Sequence, residues 1–187
     1  MILLLIAALL LPMQSRPRVV VETDAGRIVM EIDTVRAPVT ATNFLAYVDA
    51  GLYDAGRFHR TVRTTPDNQP QNEVKIEVIQ AGANPARAME LAAPIALEAT
   101  KTTGLTHADG TVSMARAQPN SARDQFFICI GNQPALDFGG TRNPDGQGFA
   151  AFGRVVQGMD VVRRIQASPA KGQNLTPPVR ILSIRRQ

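Results

Sequence analysis

The chain has 187 residues, of which 44% are apolar and 19% charged, with 13 prolines, 14 glycines and a formal net charge of +4. Its size suits one domain able to bury about 70% of its unfolded surface, and its composition is that of a globular protein rich in turns. The arginines are scattered apart from Arg163-Arg164 and Arg185-Arg186, with no long basic run and no aromatic interleaving, which argues against nucleic-acid binding.

Ile2 to Leu11 is an unbroken apolar run. It is too short to cross a bilayer core of about 30 Å as a helix, so no stable membrane span is expected. The length suits the apolar part of a secretory signal, although no Lys or Arg precedes it and no clean small-x-small cleavage site follows before Arg16. The expectation is an export segment over residues 1–16 and a domain at 17–187, hence a periplasmic or secreted protein. If the run does not work as a signal, the expected location is cytoplasmic. The lone Cys129 allows no intrachain disulfide and reads as a small buried hydrophobe.

Val19–Val21 and Ile28–Ile32, joined through Asp24-Ala25-Gly26, predict a hairpin. Pro38 and Gly51 bracket Ala41, Phe44, Leu45 and Val48 at helical spacing, which predicts a helix over roughly 38–50. Arg57–Val62 reads as a strand, Arg63–Asn72 as an exposed loop and Val74–Gln80 as a half-buried strand. An irregular stretch follows Gly82 to about Ala93, and Pro94–Glu98 resembles a short strand.

Thr111–Ala115 and Gln125–Ile130 are two further strands. On the second, alternation puts Gln125, Phe127 and Cys129 on one face and Phe126, Ile128 and Ile130 on the other, so both faces are buried. Gln133–Phe138 reads as a helical turn, Gly139–Gly148 as a surface loop and Phe149–Val156 as a strand. Met159, Val162 and Ile165 mark a second helix near 158–167, and Val179, Ile181 and Ser183 a last strand. Many antiparallel strands with two helices predict a mainly β, closed barrel.

No metal or cofactor is expected. His59 and His107 are far apart and no HxxxH or Cys cluster is present. Thr141 stands where a calcium loop would open with Asp. Asp137-Phe138-Gly139 lacks the other kinase elements, and no GxSxG elbow marks a hydrolase.

The string Gly110-Thr-Val-Ser-Met-Ala-Arg, then Pro119-Asn120-Ser121 and Gln125-Phe126-Phe127-Ile128, resembles the cyclophilin-type peptidyl-prolyl isomerases. Phe58-His59-Arg60 upstream, and Phe152-Gly153-Arg154-Val155-Val156 and Gly158-Met159-Asp160-Val161-Val162 downstream, match in the same order, so the resemblance runs from about Val19 to Arg186. It implies a closed eight-stranded antiparallel barrel capped at both ends by two α-helices. It also implies a cofactor-free enzyme that rotates Xaa-Pro bonds in proline-containing peptides and unfolded proteins. A monomer is expected.

The resemblance makes Arg60 the catalytic residue and gives Gln80, Val78, Ala115, Gln125, Phe127, Leu136 and Phe149 to substrate binding. His59 is expected to pack or hydrogen-bond structurally. The chain departs from the family at several points. Glu77 replaces an aromatic wall, Arg116 a backbone-holding amide, Ala135 a tryptophan that favours cyclosporin in some members, and Phe149 a common pocket histidine. The Arg60–Gln80 segment is longer than usual. These departures motivate an alternative, a proline-segment binding module or chaperone with little isomerase activity.

Overall fold

The computed structural model describes residues 16–91 and 93–187. The apolar run Ile2–Leu11 lies outside them, and so does the export expectation placed on it.

Strands β1 (Arg18–Thr23) and β2 (Gly26–Ile32) form the expected hairpin, followed by helix α1 (Pro38–Asp49) and strands β3 (Arg57–Val62) and β4 (Val78–Gly82). Next come a one-turn helix α2 (Thr100–Thr103), strands β5 (Thr111–Met114) and β6 (Phe126–Cys129), and a 3-10 turn at Pro134–Leu136. The chain ends with β7 (Ala150–Gln157), helix α3 (Met159–Ala167), the two-residue β8 (Ala170–Lys171) and the long β9 (Asn174–Arg186). The sheet runs β1-β2-β7-β5-β6-β4-β3-β9, all antiparallel, and β9 pairs back onto β1. Closure leaves eight barrel strands without a free edge, and β8 is only a short hairpin arm on β9.

α1 and α3 close opposite ends. α3 lies by the β1–β2 turn, where Arg164 donates to the Ala25 carbonyl, while α1 follows the far end of β2. Phe44 of α1 packs against Phe126 and Phe152, with ring centroids 5.5 and 5.1 Å apart, in a core that takes in Phe58, Ile79 and Ile128.

Four local expectations change. Val74–Ile76 is not in a strand, which starts at Val78 and continues past Gln80 to Gly82. Residues 63–72 are not wholly exposed. Asn68 and Gln69 are buried, and Gln69 Nε2 bonds the Arg63 and Ile76 carbonyls at 2.6 and 2.8 Å, so side-chain amides replace ladder bonds there. Pro94–Glu98 makes a single bridge, Ile95 to Ala122, and Glu98 instead accepts the Val39 and Thr40 N–H groups at the start of α1. A carboxylate at that end meets both the orphan donors and the helix dipole. Finally, α2 is a third helix that no apolar periodicity announces, because it is a single turn of polar residues ended by Gly104.

Candidate active site

The site begins with a bulge in β3. Phe58 pairs with Ala81 and Arg60 with Gln80, so His59 is an extra residue between them. In a regular strand Phe58 and Arg60 would share a face. The bulge sends Phe58 into the barrel core and leaves Arg60, half-buried, on the outer wall. Gln80 is in turn opposite Phe127, and Phe127 opposite Ser113. Four adjacent strands thus carry Arg60, Gln80, Phe127 and Ser113 in one row.

Along β6 the faces divide as alternation requires. Phe126 and Ile128 enter the barrel core, whereas Phe127 and Cys129 join Val62, Ile76, Val78 and Leu136 in a second apolar cluster outside it. Phe127 meets Phe149 edge-on, with centroids 5.3 Å apart. Above this floor lies a cavity of about 290 Å³, close to the small end of ligand pockets, roughly 300–1,000 Å³. Arg60, Val78, Gln80, Ala115, Phe127, Leu136 and Phe149 all line it. Gln125 borders the adjoining hollow, together with Gln80 and Ala115.

Arg60 is held on two sides. Its Nη1 donates to Gln80 Oε1 at 2.8 Å, and its Nε donates to Gln173 Oε1 at 2.8 Å. Gln80 Nε2 then donates to Gln125 Oε1 at 2.7 Å, and Gln173 Nε2 to the Asn68 carbonyl at 2.7 Å. A chain of amides therefore fixes the guanidinium while spending only part of its five donors. Burial, and then the charge of Arg142, pull the Arg60 pKa below the ordinary guanidinium value. Arginine starts so high that the group stays charged at neutral pH.

The departures from the family pattern take definite places. Glu77 turns away from the cavity to accept the Thr64 N–H and hydroxyl, so Ile76 and Val78 form that wall. Arg116 is bound down, its side chain 1% exposed. It makes a two-pronged pair with Asp145 at 2.8 and 2.9 Å, donates to the Gly148 carbonyl at 2.8 Å and lies over the Phe149 ring. That clamp fastens the loop 139–148 against the pocket wall. Gly148 is required there: its φ is +65°, and a Cβ would come within 2.6 Å of the Leu136 carbonyl oxygen.

Behind Phe127, the buried His107 ring stacks on it at 5.9 Å and bridges Asp137 Oδ1 at 2.7 Å and Ser113 Oγ at 2.9 Å. The order Ser–His–Asp is that of a hydrolase triad. Ser113, however, has no exposed surface, so no scissile carbonyl can reach it. The trio serves to seat the pocket floor. His59 is half-buried, and burial lowers its pKa, as it does for His107. Cys129 is fully buried with its thiol pKa pushed up by burial, a small hydrophobe as expected.

Sequence reasoning did not find Gln173, Arg142 or His107. Gln173 reaches Arg60 across 113 residues, and no local pattern marks it. Arg142 sits in a Gly-rich loop that reads as plain surface, yet it lines the cavity. Among the described residues no cluster of three or more His, Cys, Asp or Glu could hold a metal ion, and no helix is long and apolar enough to cross a membrane.

Comparison with known proteins agrees with this geometry. The chain is 39% identical over 153 residues to the peptidyl-prolyl cis-trans isomerase cyp18 of Streptomyces antibioticus, covering 77% of this chain and 80% of that one. It is 35% identical over 161 residues to peptidyl-prolyl cis-trans isomerase A of Dickeya dadantii, covering 85% and 75%. A crystal structure of a Cryptosporidium parvum cyclophilin type peptidyl-prolyl cis-trans isomerase, obtained in the presence of the dipeptide Ala-Pro, shares the fold with a TM-score of 0.72 at 21% identity. It covers 91% of this chain and 98% of that one. Residues 18–186 match the family described as cyclophilin type peptidyl-prolyl cis-trans isomerase/CLD. With that match spanning the whole barrel, the chain belongs to the cyclophilin-type peptidyl-prolyl cis-trans isomerase family.

Proposed function

We infer that this chain is a peptidyl-prolyl cis-trans isomerase that rotates Xaa-Pro bonds in extended or unfolded protein segments and so assists folding. The observation that carries the reading is a charged guanidinium, Arg60, held by Gln80 and Gln173 at the edge of a cavity whose floor, Phe127 with Val78 and Leu136, is apolar.

Rotation about a peptide bond is slow because resonance must be broken, at about 18–20 kcal/mol, whereas cis and trans Xaa-Pro differ by only about 0.5–1 kcal/mol. No nucleophile or proton relay is needed. Phe127, Leu136, Val78 and Phe149 take the proline ring out of water, and Gln80, Gln125 and the backbone beside Ala115 hold the flanking chain. In the twisted state the imide nitrogen becomes pyramidal and exposes a lone pair, to which the Arg60 guanidinium donates. That bond is absent in either planar state, so it lowers the barrier without tightening the ground state. Gln80 and Gln173 set the fork in place before the substrate arrives.

The alternative, a groove that holds proline segments without turning them over, drew support from Glu77 and Arg116. Glu77 lies against Thr64 and Arg116 against Asp145, so neither charge projects free into the groove. Exchange spectroscopy on an Ala-Pro tetrapeptide separates the two readings. The isomerase speeds exchange well above background, and a binding module shifts resonances with no added rate.

An exported, monomeric protein remains our reading of the N-terminal run and of the closed sheet. Deleting residues 1–16 should abolish export to the periplasm or medium while leaving thermal stability nearly unchanged. Light scattering should return the mass of one chain.

A further inference from the structure

The cavity holds a second guanidinium. Arg142 lines it with Arg60, and its Nη1 donates to the Gln69 amide oxygen at 3.0 Å and the Val74 carbonyl at 2.6 Å. Among the described residues Arg60 is likewise held only by amide oxygens, those of Gln80 and Gln173. Many arginines elsewhere on the barrel face carboxylates, as Arg185 does Asp54 and Arg186 does Asp49, whereas Arg63, outside the cavity, is held by the Gln166 and Ser168 carbonyls. Arg116, the third arginine of the cavity, is cancelled by Asp145. The acidic residues of the long β3–β4 segment do not restore balance. Glu77 is turned to Thr64, and Asp67 and Glu73 are exposed and do not line the cavity. Two positive charges, each held by neutral oxygens, therefore share one half-buried hollow where a proline ring is to sit.

Dipolar oxygens solvate a cation but leave its field uncancelled, and the partly apolar walls screen that field less than water does. A ligand that brings a negative charge gains from it, and one that brings a positive charge is penalised on approach as well as in the complex. Resting on the isomerase reading above, we propose that the groove selects Xaa-Pro segments with an acidic side chain next to the proline, and that Arg142 is the residue that reads it. The segment 63–77 builds this feature, since Gln69 and Val74 hold the Arg142 head group while Asn72 and Ile76 complete the wall beside it.

The test uses the full chain and protease-free exchange spectroscopy on four proline peptides, with Glu or Lys placed directly before or directly after the proline. At low salt the Glu peptide should exceed the Lys peptide in kcat/KM at one or both positions by about fivefold, the upper range for a partly screened ion pair. The ratio should shrink as salt rises to about 0.5 M, where the screening length is only a few ångströms. Arg142→Gln should bring it close to one, and Arg142→Glu should invert it. Circular dichroism checks that each variant folds, and the salt series on the unaltered chain stands without them. Equal rates for Glu and Lys peptides at both positions would overturn the charge selection while leaving the isomerase reading intact. If no peptide is turned over, the isomerase reading fails, and the same four peptides in a binding titration still decide the preference. A charge preference that survives in both Arg142 variants would remove Arg142 as its reader.

Discussion

Arg60 and Gln80 are register partners on β3 and β4, and the Arg60 Nη1 donates to the Gln80 side-chain oxygen at 2.8 Å. The pairing depends on the His59 bulge, which turns Arg60 out of the core that Phe58 enters. Gln80 then passes the chain of hydrogen bonds to Gln125, so the cation and the two amides beside the groove form one hydrogen-bonded unit.

Phe127 joins the groove to the stability of the barrel wall, because it is 5% exposed and backed by the His107 ring. Phe127→Ala should lower stability by about 3–5 kcal/mol, the cost of emptying a buried aromatic site, and weaken proline-peptide binding with it. Denaturant unfolding and a peptide titration read the two losses. A variant that unfolds at the original denaturant concentration would show that the floor is not packed as described.

Arg116 positions a wall without touching the reacting bond. Arg116→Ala should free the loop 139–148 and raise KM several-fold, with a smaller effect on kcat. Arg116→Lys should not rescue it, since a point charge cannot hold both oxygens of Asp145 together with the Gly148 carbonyl. An unchanged KM in both variants would rule out the clamp.

Stability should fall as pH drops below about 6.5. Burial lowers the pKa of His107, and also that of His59, so the unfolded chain binds more protons than the native one in that window. Asp145 belongs to a lower window. Its hydrogen bond to Arg116, followed by one from the Gln147 N–H, holds it at about 2, so its contribution is lost only between the ordinary carboxylate value and there. Thermal melts from about pH 7.5 to pH 5 should show a falling Tm, and His107→Gln should flatten part of that slope. A Tm that rises on acidification would mean that the histidines gain protons on folding.

Ala135 packs at the edge of the pocket cluster with no indole to offer. Cyclosporin should therefore bind weakly, and Ala135→Trp should tighten it by adding a large contact face and an N–H donor. Tight inhibition of the unaltered chain would contradict this.

The barrel was largely legible because most of its strands, the long β9 apart, are short apolar runs with turns between them, and β6 shows why. Its two buried faces follow from alternation alone, and the structure separates Phe126 from Phe127 accordingly. The hairpin, α1 and α3 were legible from Pro38, the glycines and helical spacing. Segments held by side chains were not. Gln69 ties down residues 63–76 and Glu98 caps α1, and neither contact leaves a periodic trace in the sequence. The same holds within the groove. Arg60 and Gln80 lie in motifs, but Gln173 and Arg142 come from distant loops whose composition announces only exposure. Nor does alternation reveal the His59 bulge, without which Arg60 would face the core.

The most direct test is the isomerisation rate of Arg60→Ala on a proline tetrapeptide, with circular dichroism as the control for folding. Arg60→Ala should fold normally and lose a factor on the order of 10²–10³ in rate, the scale for removing one preorganised donor. Arg60→Lys should recover only part of it, because a single ammonium cannot keep both glutamines and still address the imide nitrogen. A folded Arg60→Ala protein that isomerises at the original rate would contradict the account.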